Sequence, residues 1–312
     1  MKKRFHLLIV IGLLLVGFIV GSFFDLQIDK TLFSEKNGFG LFMASFGVYP
    51  CHFCLSFIGG GLLCTTLRRK ELKTWLKITC YVLSAIALGL AIFLCGREWP
   101  SSNGHNVPKL APLSYAICAV VFSGSFCFGY MVCRKGDQKQ LWGICLVLGI
   151  AFALSLLPAG YAMKLIIHRP RYRMAVYYGG EDAYYYNWWE MFSEYKEFIG
   201  REVAPGITLT KEEFKSFPSG HSGAAIVTAV VLPFASKFFP RLKGKELFFF
   251  YGGVAYGALM MFTRLLVGAH YLTDTCMGAL IVMVVFYFAN EICIRKGLLE
   301  DSKEPEPVPQ AV

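Results

Sequence analysis

The sequence predicts an all-α protein, a polytopic bundle of about eight transmembrane helices. Of its 312 residues, 55% are hydrophobic and 17% are charged, and the mean hydropathy is +0.51. A soluble chain of this length would suggest two domains, but this composition is typical of one helical membrane domain. Apolar stretches of about 20 residues, long enough to cross roughly 30 Å of hydrocarbon, also recur along the chain between short charged breaks.

These stretches divide the chain into helices and connections. The predicted spans are residues 5–24, 39–66, 75–95, 110–132, 141–167, 219–240, 246–268 and 270–294. A long connection, residues 168–217, separates the fifth span from the sixth and is rich in aromatic and acidic side chains. Connections of this length are usually functional or disordered. The tail, residues 298–312, is predicted to be disordered and cytoplasmic.

The net charge of +10 raises the alternative of nucleic-acid binding, which the placement of the basic residues argues against. More than half of the 31 Lys and Arg residues fall in alternate connections. By the positive-inside rule these connections and both termini are cytoplasmic. The basic groups run from Lys2 to Arg4, Arg68 to Lys77, Arg134 to Lys139, Lys237 to Lys245 and Arg295 to Lys303. We therefore expect the cell membrane as the location, the bilayer as a partner, and no nucleic acid.

Two further patterns, an apolar N-terminal segment and a set of cysteines, suggest a signal peptide and disulfide or metal sites, which the rest of the sequence does not support. The first span resembles a signal peptide, but no clear small-residue cleavage site follows it, so an uncleaved helix is expected. Eleven cysteines lie almost entirely in apolar spans, where cysteine behaves as a small hydrophobe, and no disulfide framework is predicted. Cys51, His52 and Cys54 have metal-like spacing without a second pair, which favours packing over a metal site.

The long connection carries an aromatic pattern of its own. Trp188, Phe192, Tyr195 and Ile199 recur at helical spacing, with acidic residues elsewhere on the wheel, and predict an interfacial amphipathic helix. An aromatic belt that anchors the connection at the headgroups explains this face better than direct contact with a substrate.

Three clusters of polar residues stand at the ends of apolar spans, where such residues are costly and are therefore candidates for function. The first runs from Lys164 through His168 and Arg169 to Arg171, at the outer end of the fifth span. A basic anchor is the simpler explanation, but such anchors favour the cytoplasmic face. Several fixed cations on the outer face suggest an anion site instead, because the guanidinium fork suits phosphate oxygens.

The second cluster, Pro218, Ser219, Gly220 and His221, opens the sixth span. Proline suits the first turn of a helix, and the small residues let a ligand approach free backbone N–H groups at the positive end of the helix dipole. A plain helix start explains every residue except His221, an ionisable group in the first turn of a membrane helix. An anion is the natural ligand of such a turn.

The third cluster, Arg264, His270 and Asp274, lies between the seventh and eighth spans. His270 and Asp274 are four residues apart and share a helix face, so the carboxylate can fix the imidazole tautomer and raise its basicity. This arrangement is typical of an activated nucleophile or base, although a structural His–Asp pair explains it equally well in isolation. The predicted topology puts all three clusters at the outer face, which favours a shared site.

In their order and spacing, the three clusters resemble the three-part signature of the type 2 phosphatidic acid phosphatase family of membrane phosphatases. The match covers residues 164–274 directly. Two departures are Tyr172, where the family has proline, and Thr263, where it has serine; neither removes a catalytic group. The family core has six helices, so residues 1–110 are interpreted as additional transmembrane helices and residues 111–297 as the phosphatase core.

The resemblance implies an enzyme that hydrolyses a lipid phosphate or diphosphate without a metal or a cofactor. Its phosphate-binding residues would be Lys164, Arg171, Ser219, Gly220 and Arg264. His270 would attack phosphorus to form a phosphohistidine, Asp274 would orient His270, and His221 would protonate the leaving oxygen. Candidate substrates are phosphatidate, phosphatidylglycerol phosphate and a polyprenyl diphosphate, and an outward-facing site favours the last.

Three alternatives remain at this stage. A phosphotransferase would hand the phosphoryl group to a lipid or sugar acceptor, and the sequence does not separate it from a hydrolase. A zinc hydrolase that uses His221, His270 and Asp274 is disfavoured because the surrounding Lys and Arg residues would repel a cation. A non-catalytic lipid-binding protein on the same fold is disfavoured because every residue of the catalytic set is present.

Overall fold

The structure is an all-α membrane bundle, which confirms the predicted fold class. A computed structural model describes residues 2–101, 110–157, 162–177, 180, 184–204 and 207–299. Within this part, eight helical segments are long and apolar enough to cross a membrane. The chain is therefore a polytopic integral membrane protein.

The helices follow the predicted order. The long helices are α1 (Lys2–Leu32), α3 (Tyr49–Arg68), α4 (Thr74–Ser101), α5 (Ala111–Cys133), α6 (Gln138–Leu157), α9 (Gly220–Val231), α11 (Glu246–Leu266) and α12 (Leu272–Arg295). The short helices are α2 (Gly38–Phe46), α7 (Lys164–Ile167), α8 (Tyr172–Tyr177) and α10 (Ala235–Phe238). Two short antiparallel strands, β1 (Glu202–Ala204) and β2 (Ile207–Thr208), lie in the long connection. Because successive spans alternate in direction, the helix ends form two opposite faces of the bundle.

Helix α1 is longer than predicted. The predicted span ends at residue 24, where the apolar stretch meets Asp25, but the helix continues through Leu32. Asp25 and Asp29 in this extension are 1% and 0% exposed. The helix accommodates Asp25 because Arg169 reaches it from the long connection, with Nη2 of Arg169 3.0 Å from Oδ2 of Asp25.

Two other predicted spans are interrupted. The span over residues 39–66 is divided into α2 and α3 at Gly47 and Val48, because Pro50 in the first turn of α3 lacks the N–H that a continuous helix needs. The span over residues 141–167 ends at Leu157, and Lys164 belongs to the separate helix α7. The first cluster therefore lies beyond the membrane helix rather than at its last turn.

The predicted amphipathic helix over residues 188–199 is wrong. This segment consists of turns and one short 3₁₀ helix, Ser193–Glu197. Its aromatic rings pack on one another and on neighbouring parts of the connection: the ring of Phe192 lies 5.9 Å from that of Phe214 between centroids, and Phe198 lies 6.2 Å from Phe214. The spacing reflects a small local core and not one face of a helix.

The N-terminal helices and the later helices pack around a common hydrophobic core. Helix α1 packs on α12, and α3 packs on α4, α5 and α6. A Cβ atom at Gly60 of α3 would lie 1.9 Å from the carbonyl oxygen of Phe126 in α5, so this contact needs glycine. Leu298, assigned to the tail by the sequence prediction, is held by a hydrogen bond from the Gln140 side chain to its carbonyl oxygen at 2.8 Å. Residues 300–312 of the predicted tail lie outside the described residues.

Candidate active site

All three polar clusters meet at one end of the bundle. This end is formed by the last turns of α1, α4 and α11 and the first turns of α9 and α12, with α7, α8 and the long connection beside them. Because successive helices alternate in direction, the connections rich in Lys and Arg lie at the opposite end of the bundle. The fold thus brings together residues that are more than 100 positions apart in the sequence.

The second cluster builds the N-terminus of α9. Ser219 is the N-cap residue: its Oγ accepts hydrogen bonds from the backbone N–H of Ser222 at 3.3 Å and from the Ser222 hydroxyl at 3.0 Å. Its own N–H donates to the carbonyl oxygen of Asp274 at 2.9 Å. Ser219 therefore holds the turn, and its hydroxyl proton is what remains for a ligand. The N–H groups of Gly220 and His221 are in the first turn, where a helix offers no acceptor and favours an anion.

Two cations of the first cluster face this turn. Nζ of Lys164 lies 3.8 Å from the position that a Cβ atom on Gly220 would take. Burial and the positive charge of Arg171 lower the pKa of Lys164 to about 8. Nε of Arg171 is buried without a hydrogen-bond partner in the described part of the chain. An anion between Lys164 and Arg171 would relieve the repulsion between the two cations and satisfy this donor.

The backbone around Arg171 is fixed by a neighbouring ion pair. Nε and Nη2 of Arg173 donate to the Glu213 carboxylate at 2.9 Å and 2.8 Å. Burial alone would raise the pKa of Glu213, but the charge of Arg173 lowers it to about 2. The carbonyl oxygen of Glu213 accepts the backbone N–H of Arg171 at 2.8 Å. Arg173 is thus neutralised, and it supports the position of Arg171.

The third cation, Arg264, ends α11 and is 2% exposed. Its Nη2 donates to the carbonyl oxygen of Gly40 in α2 at 2.6 Å, and its Nε has no partner among the described residues. Neither departure from the family signature reaches this cation. The hydroxyl of Thr263 bonds back to the carbonyl oxygen of Met260 at 2.8 Å, and the ring of Tyr172 packs edge-on against Phe33 at 5.3 Å.

His270 lies in the turn between α11 and α12 and is 2% exposed. Its Nδ1 is 2.7 Å from the carbonyl oxygen of Ser216, which can only accept, so Nδ1 carries the proton and Nε2 keeps a free lone pair. Burial, reinforced by the positive charges of Arg171 and Lys164, lowers the pKa of His270 to about 3. The imidazole is therefore neutral at physiological pH, as a nucleophile must be.

Asp274 is held by several donors, and His270 is the most distant of them. Oδ2 of Asp274 accepts the backbone N–H of Tyr271 at 2.9 Å and the hydroxyl of Ser216, whereas Nδ1 of His270 is 3.7 Å away. Oδ1 of Asp274 accepts Nη1 of Arg169 at 2.6 Å. The carboxylate faces the imidazole as an opposite charge, but the direct hydrogen bond of His270 is to Ser216.

Arg169, a cation of the first cluster, is paired with carboxylates and is not left for an anion. Besides Asp274 it binds Asp25 of α1 at 3.0 Å, and its Nε donates to the carbonyl oxygen of Tyr186 at 2.7 Å. Its guanidinium lies 4.0 Å from the centre of the Tyr271 ring. Removing one partner of such a buried pair typically costs about 3–5 kcal/mol. The expected cluster of cations is therefore reduced to Lys164, Arg171 and Arg264.

His221 has partners from the N-terminal half of the chain. Its Nε2 is 3.0 Å from the carbonyl oxygen of Ala44 in α2 and 3.6 Å from Oε2 of Glu98 in α4. The His221 and Glu98 side chains are 22% and 21% exposed, in contrast to the buried His270. This is the more open side of the site.

Sequence reasoning missed Asp25, Glu98 and the role of Arg169. A signal for the two acids exists, because each is an ionisable residue at the end of an otherwise apolar span, and such residues are functional candidates by default. The predicted spans end just before both residues, at residues 24 and 95. No local pattern distinguishes Arg169 from Arg171.

The described residues contain no group of three or more His, Cys, Asp and Glu side chains that could hold a metal ion. Cys51 and His52, considered for a metal above, are buried in α3, where Nδ1 of His52 bonds to the carbonyl oxygen of Val48 at 2.9 Å. The donors at the site are cations and N–H groups, which suit an anion.

The structure thus defines a polytopic helical membrane protein with a candidate anion site at one end of its bundle, beside a buried histidine. The family model of the PAP2 superfamily matches residues 140–293, a range that includes all three clusters and leaves out α1 to α5. This match confirms the resemblance of this region to type 2 phosphatidic acid phosphatases. Members of this superfamily are generally phosphatases. No curated protein and no solved structure matches the chain.

Proposed function

We propose that this protein is a membrane phosphatase that hydrolyses a lipid phosphate or diphosphate through a phosphohistidine on His270. The observation that carries the proposal is the hydrogen bond between Nδ1 of His270 and the Ser216 carbonyl oxygen. Because this oxygen can only accept, the proton lies on Nδ1, and Nε2 keeps its lone pair near Lys164 and Arg171. A neutral imidazole next to fixed cations is suited to attack phosphorus in a phosphate anion.

In the first step, Nε2 of His270 forms a bond to phosphorus while the ester oxygen leaves on the opposite side. Lys164, Arg171, Arg264 and the N–H groups of the α9 turn would bind the equatorial oxygens, where charge accumulates in the transition state. His221 would donate a proton to the leaving oxygen and so release an alcohol. The positive charge that the ring of His270 acquires is balanced by Asp274.

In the second step, a water molecule takes the place of the alcohol. His221, now neutral, accepts a proton from water as the water oxygen bonds to phosphorus and the bond to Nε2 breaks. Phosphate leaves, His270 returns to its neutral form and His221 is protonated again. The two steps balance, and no metal or cofactor takes part in either.

We further propose an extracytoplasmic site and cytoplasmic termini in the plasma membrane. The excess of Lys and Arg in the connections opposite the site supports this orientation. We also propose residues 111–297 as the phosphatase core and residues 1–110 as an addition, which the family match from residue 140 supports. The placement of the site at the ends of membrane helices favours an amphiphile whose phosphate lies in the headgroup zone, such as phosphatidate, phosphatidylglycerol phosphate or a polyprenyl diphosphate.

The test is phosphate release by the purified protein from each of these three lipids in detergent, with and without a lipid alcohol as an acceptor. We expect free phosphate from at least one lipid and its loss in the Arg171→Met variant. Arg134→Met, at the opposite end of the bundle, is the matched control and should retain the wild-type rate. Release from none of the lipids would contradict the proposal. A phosphoryl group that is found only on the added alcohol would favour a phosphotransferase.

A further inference from the structure

Arg169 links the two halves of the chain through a buried bridge. Its Nη1 donates to Oδ1 of Asp274 at 2.6 Å and to the Thr273 hydroxyl at 2.8 Å, and its Nη2 is 3.0 Å from Oδ2 of Asp25. The side chains of Arg169 and Asp274 are 0% exposed and that of Asp25 is 1% exposed. Because these side chains are buried, charge-assisted hydrogen bonds between them are strong.

Asp25 also fixes the first turn of α12, where Asp274 is located. Its Oδ1 accepts the backbone N–H of Thr273 at 3.0 Å, and its Oδ2 accepts the Thr273 hydroxyl. A Cβ atom at Gly21 would lie 2.9 Å from the backbone nitrogen of Thr273, so α1 approaches this turn closely. The N–H of residue 273 would otherwise have no acceptor within its own helix.

We propose that Asp25 of α1 is a positioning residue for the phosphatase reaction, which acts on Asp274 and His270 through Arg169. The inference rests on the proposed function. It assigns a catalytic contribution to the first helix, which lies outside residues 140–293 matched by the family model. Asp25 itself does not touch the substrate.

The reason is a balance of charge beside His270. Arg169 stands between two carboxylates, so the three groups together carry a net negative charge that faces the imidazole. Without the charge of Asp25, the guanidinium cancels that of Asp274. The ring of His270 then gains a positive charge in the phosphoenzyme beside a bridge that no longer carries a net negative charge. The rate of phosphohistidine formation therefore falls, whereas ground-state binding of phosphate by Lys164 and Arg171 is unaffected.

The chain offers a variant at Asp25 and a matched control at Asp29, a second buried carboxylate of the same helix. Asp25→Asn keeps the size of the side chain and an oxygen for the N–H of Thr273, and it removes the charge toward Arg169. Asp29→Asn is the same change one turn later in α1. Asp29 is also fully buried, and its carboxylate has no hydrogen-bond partner among the described residues.

The experiment compares kcat, KM and thermal midpoint of the purified variants on the lipid that the wild type hydrolyses best. We expect Asp25→Asn to lower kcat about 10- to 100-fold with an unchanged KM, as is typical for partners that orient a reactive group, and Asp29→Asn to match the wild type. Equal kcat values for Asp25→Asn and wild type would overturn the inference, as would a kcat loss in Asp29→Asn of the same size. An inactive wild type would instead contradict the proposed function.

A double-mutant cycle separates an action through Arg169 from simple damage to the fold. Arg169→Met removes the positive charge that Asp25 offsets. If Asp25 acts through Arg169, adding Asp25→Asn to Arg169→Met should lower kcat no further. Losses that multiply in the double variant would show that Asp25 acts independently of Arg169 and would refute the bridge.

Discussion

The contact between α9 and α12 offers a test of how closely the phosphate-binding turn must be placed. Gly278 of α12 lies against the N-cap residue of α9, and a Cβ atom there would be 2.2 Å from the carbonyl oxygen of Ser219. Ordinary contact begins at 3.4 Å, so Gly278→Ala must separate the two backbones by about 1.2 Å, the difference between these values. The clash is between backbones, so no side-chain rotation relieves it. The N–H of Ser219 is also hydrogen-bonded to Asp274 in α12, the helix that contains Gly278.

This shift changes the position of Ser219 and Gly220 relative to His270 and the cations. A displacement of about 1 Å in a reacting group can cost about 100-fold in rate. The fold should survive, because overpacking costs about 1–3 kcal/mol and replacing glycine by alanine in a helix returns about 1 kcal/mol. We therefore expect kcat/KM to fall about 100-fold in a protein that remains folded.

The assay is the initial rate of phosphate release by purified Gly278→Ala, together with its thermal midpoint. Gly252→Ala in α11 is the matched control, since a Cβ atom at Gly252 meets nothing within 4 Å. The control should retain the wild-type rate. If Gly278→Ala is as active as Gly252→Ala, the turn at Ser219 does not position the phosphate, and the reasoning fails.

Three other predictions follow from charge and burial. Because burial and the charge of Arg171 lower the pKa of Lys164 to about 8, Lys164 loses its charge as the pH rises through 8. On nitrophenyl phosphate, whose leaving group needs no acid, kcat/KM should therefore fall above that pH. Lys164→Arg should abolish this fall, and a fall that persists in this variant would contradict the assignment. Activity should survive exhaustive chelation, whereas loss with recovery on added zinc would favour a metallohydrolase. In a cysteine-free background, cysteines at positions 190 and 243, both exposed, should differ in reaction with an impermeant reagent from outside: position 190 reacts and 243 does not, and the reverse would invert the topology.

The sequence was sufficient for the fold class and for the order of the helices, because apolar stretches that cross a membrane must satisfy their backbone as helices. It was also sufficient to select His221, His270 and Asp274 as candidates, because ionisable residues at the ends of apolar spans are conspicuous. The break at Pro50 could have been predicted from the same rules, since proline disrupts a continuous helix.

The directions of side chains in the long connection could not be predicted. Arg169 and Arg171 are two residues apart, yet the first bridges two carboxylates and the Nε of the second has no hydrogen-bond partner in the described part of the chain. Their backbones are set by hydrogen bonds to Ser216 and Glu213, residues far along the chain. Local spacing carries no information about such contacts. For the same reason, the helical spacing of the aromatic residues at 188–199 predicted a helix, although these residues pack into a small core.

The burial of Asp25 shows the same limit at a distance. From the local sequence, a carboxylate marks the end of an apolar span. In the folded protein the helix continues past Asp25, because the guanidinium of Arg169 neutralises its charge. Only the tertiary fold supplies that partner.

The central claim, a phosphohistidine on His270, is tested most directly by trapping the intermediate. The wild type and the variants His270→Ala and His221→Ala are mixed with radiolabelled substrate and quenched, and the acid-labile label on the protein is counted. We expect label on the wild type, and none on His270→Ala with either a lipid phosphate or nitrophenyl phosphate. His221→Ala should be labelled only from nitrophenyl phosphate, which leaves without a proton. Label that still accumulates on His270→Ala would contradict the account.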